Sequence, residues 1–144
     1  MKKKILIAAV LLAIVVGVRS FGTAYHNRVP HIVDKESFTG QTTAIASTTL
    51  FSPASDDSLD YRVSIYDAMN TQANTKNNTV VISWFDEFNN SQTISATANV
   101  GNGSSPTFQQ ASFVVHLYAG TSLTMYTYAN GTPTYDVFVT VEEL

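Results

Sequence analysis

The sequence predicts an all-β fold, an antiparallel two-sheet sandwich of jelly-roll type that follows an N-terminal signal or anchor segment. Three observations carry this. From Gln41 onward the chain is dominated by Thr, Ser, Val, Tyr and Phe in short alternating runs, the composition and period of β-strands. No window of about a dozen residues keeps an apolar stripe at helical spacing. The runs recur about every 8–15 residues and are separated by Asn, Gly, Pro and Ser, the spacing and punctuation of a sandwich.

The beginning of the chain reads differently. Lys2, Lys3 and Lys4 precede a run of apolar or small residues from Ile5 to Val18. That run is shorter than the about 20 residues of a membrane span and suits the apolar region of a signal peptide. Gly22-Thr23-Ala24 offers a small-x-small cleavage site. Residues 1–24 are therefore expected to be a signal peptide, or an N-terminal anchor whose residues 5–18 are the only membrane contact. The expected location is outside the cell, secreted or at the cell surface, and periplasmic in a Gram-negative bacterium. Residues 25–40, YHNRVPHIVDKESFTG, keep a period of neither 2 nor 3.6 and are expected to be a linker or N-terminal arm. Residues 41–144 then form the sandwich.

Each strand follows from its alternation. The first is expected over Thr42–Phe51, ended by Ser52-Pro53. In Leu59–Met69, Tyr61, Val63, Ile65 and Met69 share one face. In Thr79–Asp86, Val80, Ile82 and Trp84 point inward and Val81, Ser83 and Phe85 outward. Gln92–Val100 turns Ile94, Ala96 and Ala98 inward, and Gln109–Tyr118 does so with Phe113, Val115 and Leu117. Ser122–Tyr128 and Tyr135–Glu142 complete the set, the last with Tyr135, Val137, Val139 and Val141 inside. Asn102-Gly103 and Asn130-Gly131 are turn dipeptides.

Charge and cysteine content exclude several functions. Cleavage after Ala24 would remove four of eight basic residues and no acid, leaving four basic against eleven acidic residues, a net charge of −7. Such a surface repels phosphate backbones, so no nucleic-acid partner is expected. The chain has no cysteine, which rules out disulfides, thiolate nucleophiles and cysteine-ligated metals.

The candidate catalytic groups are weak. Asp86 and Glu87 lie beside Trp84, but neighbours on a strand point to opposite faces, whereas a glycosidase needs facing carboxylates about 5–9 Å apart. Asp86–Ser91 is better read as the turn of a hairpin. His26, His31 and His116 show no triad or metal spacing, and no Gly-rich phosphate loop is present. The protein is expected not to be an enzyme. Asp56, Asp57 and Asp60 give hard oxygen ligands on one loop and make calcium possible there; no other cofactor is implied. Sequons at Asn77, Asn89, Asn102 and Asn130 fall in expected turns and could carry glycans only in a eukaryotic secretory pathway.

The informative anomaly is a set of outward aromatics, Tyr66, Phe85, Tyr118, Tyr126, Tyr128 and Phe138. A solvated sheet face is mostly polar, so these rings mark a partner surface. Self-association is favoured because their neighbours are Val81, Val114 and Thr124, while a sugar platform would pair rings with acids and amides. A carbohydrate-binding module using the same rings, with a glycan or cell-surface partner, is the second reading.

Three stretches carry a family resemblance: TTLFSPASDDSLDYRVSIYDAM, NTVVISWFDEFNNSQTISATA and SFVVHLYAGTSLTMYTYANGTPTYDVFVTVEEL. In their order, with a Tyr-Arg-Val-Ser strand, the Ala119-Gly120-Thr121 turn and a Tyr-Asp-Val final strand, residues 42–144 resemble small jelly-roll domains of bacterial secreted and phage-associated proteins. These are similar in pattern to the complement globular-head and tumour-necrosis-factor superfamily. The resemblance implies a jelly roll, often trimeric, with one sheet's aromatic face packed about a three-fold axis and binding done by loops. It implies no catalytic residue. A phage-derived virion-type surface domain is a third reading.

Overall fold

Alternation along Leu59–Met69 places Tyr61, Val63, Ile65 and Met69 in the core, each at most 1% exposed, and the same rule organises its neighbours. A computed structural model describes residues 29–54, 59–70, 77–99, 107–131 and 133–144. Among them eight strands occur in chain order: β1 (His31–Gln41), β2 (Thr48–Phe51), β3 (Leu59–Met69), β4 (Asn77–Phe85), β5 (Ser91–Asn99), β6 (Thr107–Leu117), β7 (Leu123–Asn130) and β8 (Tyr135–Glu143).

The pairing is nested. β1 pairs with β8, β2 with β7, β3 with β6 and β4 with β5, all antiparallel. The chain thus forms one long hairpin, rolled so that β3 also meets β8 and β4 also meets β7. The result is two four-stranded sheets, β1-β8-β3-β6 and β2-β7-β4-β5. That nesting is a jelly roll, and it confirms the expected all-β two-sheet architecture. Inward residues of both sheets, including Val80, Ile82, Leu117, Met125, Tyr135 and Val139, fill the space between them.

Two expectations change. His31–Gln41, expected as part of a linker or arm over residues 25–40, is the edge strand β1 and pairs with β8 from His31↔Glu143 to Gln41↔Tyr135. Its period is hidden because the register shifts between Ile32 and Asp34 and again between Phe38 and Gln41. At the second shift Gly40 has φ of +62°, a conformation glycine adopts without a Cβ penalty, and its N–H donates to Asp136 Oδ1 at 2.6 Å. The expected strand Thr42–Phe51 shrinks to Thr48–Phe51; before it, Ile45 docks by exchanging hydrogen bonds with Thr127. The leader and most of residues 25–40 outside β1 lie beyond the described residues.

Two polar links cross the core. Asn78 of β4 donates to Asp67 of β3. Thr127 of β7 meets the Tyr135 hydroxyl of β8 at 2.8 Å, and that hydroxyl donates to the Thr43 carbonyl.

Candidate functional site: two outer faces and a cleft

The outer face of each sheet is built by the residues out of phase with the core. On β1-β8-β3-β6 the register sets Tyr66 opposite both Phe138 and Gln110, and Ala68 opposite Phe108. Three rings therefore meet across β6, β3 and β8. Tyr66 stacks on Phe108 with centroids 5.7 Å apart and tilts against Phe138 at 6.1 Å. Their exposures are 39%, 64% and 37% for Tyr66, Phe108 and Phe138, so this is a ring strip on an open sheet face. Beside it Arg62 pairs with Glu142 at 2.7 Å, and His116 Nδ1 with Asp60 at 2.7 Å.

On the outer face of β2-β7-β4-β5 the texture is hydroxylic. Thr79, Ser83, Thr93, Ser95, Thr97 and Thr124 occupy outward positions, with a Thr79–Thr97 hydroxyl pair at 2.9 Å. Tyr126 and Tyr128 stand two residues apart on this face, ring edge to ring face at 5.2 Å. Tyr126 crosses to Val81 and is half-buried, and Val81 is only 6% exposed. The hydrogen bond with Tyr128, then desolvation, raises the Tyr126 phenol above its ordinary value, while a bond with Ser83 opposes them.

The six aromatics expected to mark one interface are therefore distributed. Tyr66 and Phe138 share the β1-β8-β3-β6 face; Tyr126 and Tyr128 lie on the opposite sheet. Phe85 and Tyr118 stand at one end, where the Tyr118 N–H donates to the Phe85 carbonyl at 2.9 Å. Phe108 was missing from that set although it completes the strip. It lies before Gln109, where strand composition becomes plain, and the in-phase spacing Phe108–Val114 was the signal that could have found it.

At the Phe85 end a cleft of about 310 Å³ opens. The β4–β7 pairing stops at Ser83↔Thr124. Beyond it the chain turns through Tyr118–Thr121, closed by Thr121 N–H and Oγ1 bonds to the Tyr118 carbonyl and by Gly120 at φ +73°. Ser83, Phe85, Ser91 and Thr124 line one side, the turn contributes Thr121 and Ser122, and Trp84 completes the wall. Trp84 is half-buried and packs on the core as its phase requires.

Asp86 is a turn residue, as expected. Its carboxylate accepts from Phe88 N–H at 3.0 Å, Asn90 N–H at 2.9 Å and Gln92 Nε2 at 2.8 Å, and Asn89 takes φ of +58°. The Asn90 bond leads the causes that hold Asp86 below the usual carboxylate range. Glu87 turns away to lie 3.8 Å from His116 Nε2. Of the three acids considered for calcium, Asp60 binds His116 and Asp56 and Asp57 lie outside the described residues. Among the described residues no three His, Asp or Glu side chains are grouped to hold a metal ion.

No protein-family model matches the chain, and no curated protein matches it in sequence. Solved structures do match in shape. One is a protein of the infectious bursal disease virus Gx strain, at TM-score 0.51 and 11% identity, covering 80% of this chain and 32% of that one. Eiger TNF from S. frugiperda matches at TM-score 0.44 and 10% identity, covering 79% and 94%. The CBM22-1–GH10 modules of Clostridium thermocellum endo-1,4-β-D-xylanase 10B match at 0.42 and 13%, covering 79% and 28%. The chain spans about a third of the viral protein. At these identities the likeness is one of fold alone, and the fold is a jelly-roll β-sandwich.

Proposed function

We propose that the protein is a non-enzymatic jelly-roll module, exported by its leader, that self-associates and serves as a structural or adhesive surface protein. The observation that carries this reading is the exposed ring strip Phe108–Tyr66–Phe138 on the β1-β8-β3-β6 face. Contiguous rings on a sheet that should be solvated are the material of an interface core.

Charge permits a second copy as the occupant. Beyond residue 24 the chain carries four basic and eleven acidic residues, and two identical surfaces of that balance repel. The strip is framed differently. Lys35 and Arg62 face outward there with Asp60, Asp136 and Glu142, a net charge of −1 against −7 for residues 25–144, so little net charge opposes contact between copies there. The Arg62–Glu142 pair can also exchange partners between copies. Three copies is the number that the resemblance to trimeric jelly rolls implies.

The test is the mass of the full chain by light scattering at micromolar concentration, beside Tyr66→Lys and Phe138→Lys. The reading expects an oligomer for the parent chain and a smaller species for both variants, with the fold intact by circular dichroism. A parent monomer, or variants that keep the parent mass, would overturn it.

A further inference from the structure

We infer that the cleft beside Trp84 binds a neutral saccharide, at the end of the β2-β7-β4-β5 sheet and away from the proposed self-association face. Its volume, about 310 Å³, sits at the lower end of the about 300–1,000 Å³ typical of ligand pockets. Its lining decides the chemistry.

Five of its seven lining residues bear hydroxyls and the other two are Trp84 and Phe85, with no charged side chain among them. A carboxylate, phosphate or ammonium ligand would enter uncompensated, which is costly in a partly enclosed site. Two of the five lining hydroxyls donate to backbone carbonyls. Thr121 Oγ1 donates to the Tyr118 carbonyl at 2.7 Å and Thr124 Oγ1 to the Ser83 carbonyl at 3.4 Å. The Ser122 and Ser52 hydroxyls meet at 2.6 Å, where either can donate. Every hydroxyl oxygen keeps lone pairs, so the cleft offers several acceptors together with hydroxyl donors that can turn toward a ligand. Its fitting ligand carries several O–H donors and no charge. Phe85, 41% exposed, supplies the apolar surface on which the C–H face of a sugar ring packs. A pyranose has both properties: in this enclosed cleft hydroxyls stand where an open sugar platform would use acids and amides, and a lipid chain lacks the donors.

The sole tryptophan of the chain borders this cleft while its ring packs on the core, so its emission is a supporting readout and calorimetry the deciding one. The full chain is titrated with cellohexaose, xylohexaose, maltohexaose and chitohexaose, by Trp84 emission and by calorimetry, up to about 10 mM. At least one should give a saturable change and heat. Polygalacturonate, the anionic control, should give neither. Ser91→Arg, at an exposed position that places a bulky charge in the mouth, should abolish binding. Phe85→Ala should weaken it at least about tenfold. No binding of any of the four, or binding unchanged in both variants, overturns the inference. The self-association variant Tyr66→Lys should bind sugar like the parent chain, and Ser91→Arg should keep the parent mass, so either proposal can fail without the other.

Discussion

The carboxyl of Asp67 on β3 accepts a 3.0 Å hydrogen bond from the side-chain amide of Asn78 on β4, tying the two sheets together through the core. Both residues are fully buried. Their other oxygens, Asp67 Oδ1 and Asn78 Oδ1, are buried without a hydrogen-bond partner among the described residues. Two acceptors cannot bond without a proton, and a protonated Asp67 gains a donor. Burial pushes the Asp67 carboxyl up from 3.8 to about 6, with the Asn78 bond opposing.

Stability should therefore fall as pH rises through this window. The folded value lies above the unfolded one, so the contribution of Asp67 is full below about 3.8 and lost as pH rises through about 6. A difference of about two units corresponds to about 3 kcal/mol. Asp67→Asn replaces the acid with an amide that can both donate to and accept from Asn78. Urea midpoints at about pH 4 and about pH 7 should drop between the two for the parent chain and stay level for the variant. A variant that tracks the parent chain would contradict this account.

The hairpin acid acts in the opposite direction. Asp86 is held below the ordinary range, first by the Asn90 backbone bond. Its contribution is present above the unfolded carboxylate value and disappears as pH falls through the depressed one. Asp86→Ala should lower Tm at neutral pH by removing three acceptor bonds, and Asp86→Asn should recover part of the loss. Thermal melts that do not separate the three proteins would refute the assignment.

Tyr135→Phe tests the second polar link. The change removes one hydroxyl but leaves the Thr43 carbonyl and buried Thr127 short of a partner. The expected loss is about 1–3 kcal/mol, read from chemical unfolding with an unchanged m-value.

The two ends of the chain should respond differently to trimming. β8 is central, paired on both sides, and the Leu144 N–H bonds the Asp60 carbonyl. Deleting residues 139–144 should abolish cooperative unfolding. Deleting residues 1–30 should leave it, whereas deleting 1–41 strips β1 and opens the β8 edge to aggregation. Equal tolerance of both N-terminal deletions would mean that β1 contributes little.

Alternation sufficed for β3, whose bounds and inward residues agree with expectation, and nearly so for β4 to β8. It failed at β1 for a physical reason. An edge strand is half-buried, and this one carries Asp34 and Glu36 opposite inward-facing Val141 and Val139, with a bulge that reverses phase. Inward-pointing charges and bulges are common protections of sheet edges, and they erase the period that sequence reading uses. The candidate surface was legible only in part. Alternation tells in from out, but outward Tyr66 and outward Tyr128 look the same until pairing assigns β3 and β7 to different sheets. The cleft was invisible because it depends on where β4 and β7 part company.

The proposed self-association is tested most directly by protection of its face in the assembled protein. The chain has no cysteine, so single thiols report cleanly. Gln110→Cys lies beside the ring strip, opposite Tyr66, and Ser95→Cys lies on the outer face of the other sheet. Maleimide labelling of the two should differ: slow at 110 and fast at 95 in concentrated protein, converging when the sample is diluted to monomer. Equally fast labelling at both positions in the concentrated sample would contradict self-association through the Phe108–Tyr66–Phe138 face.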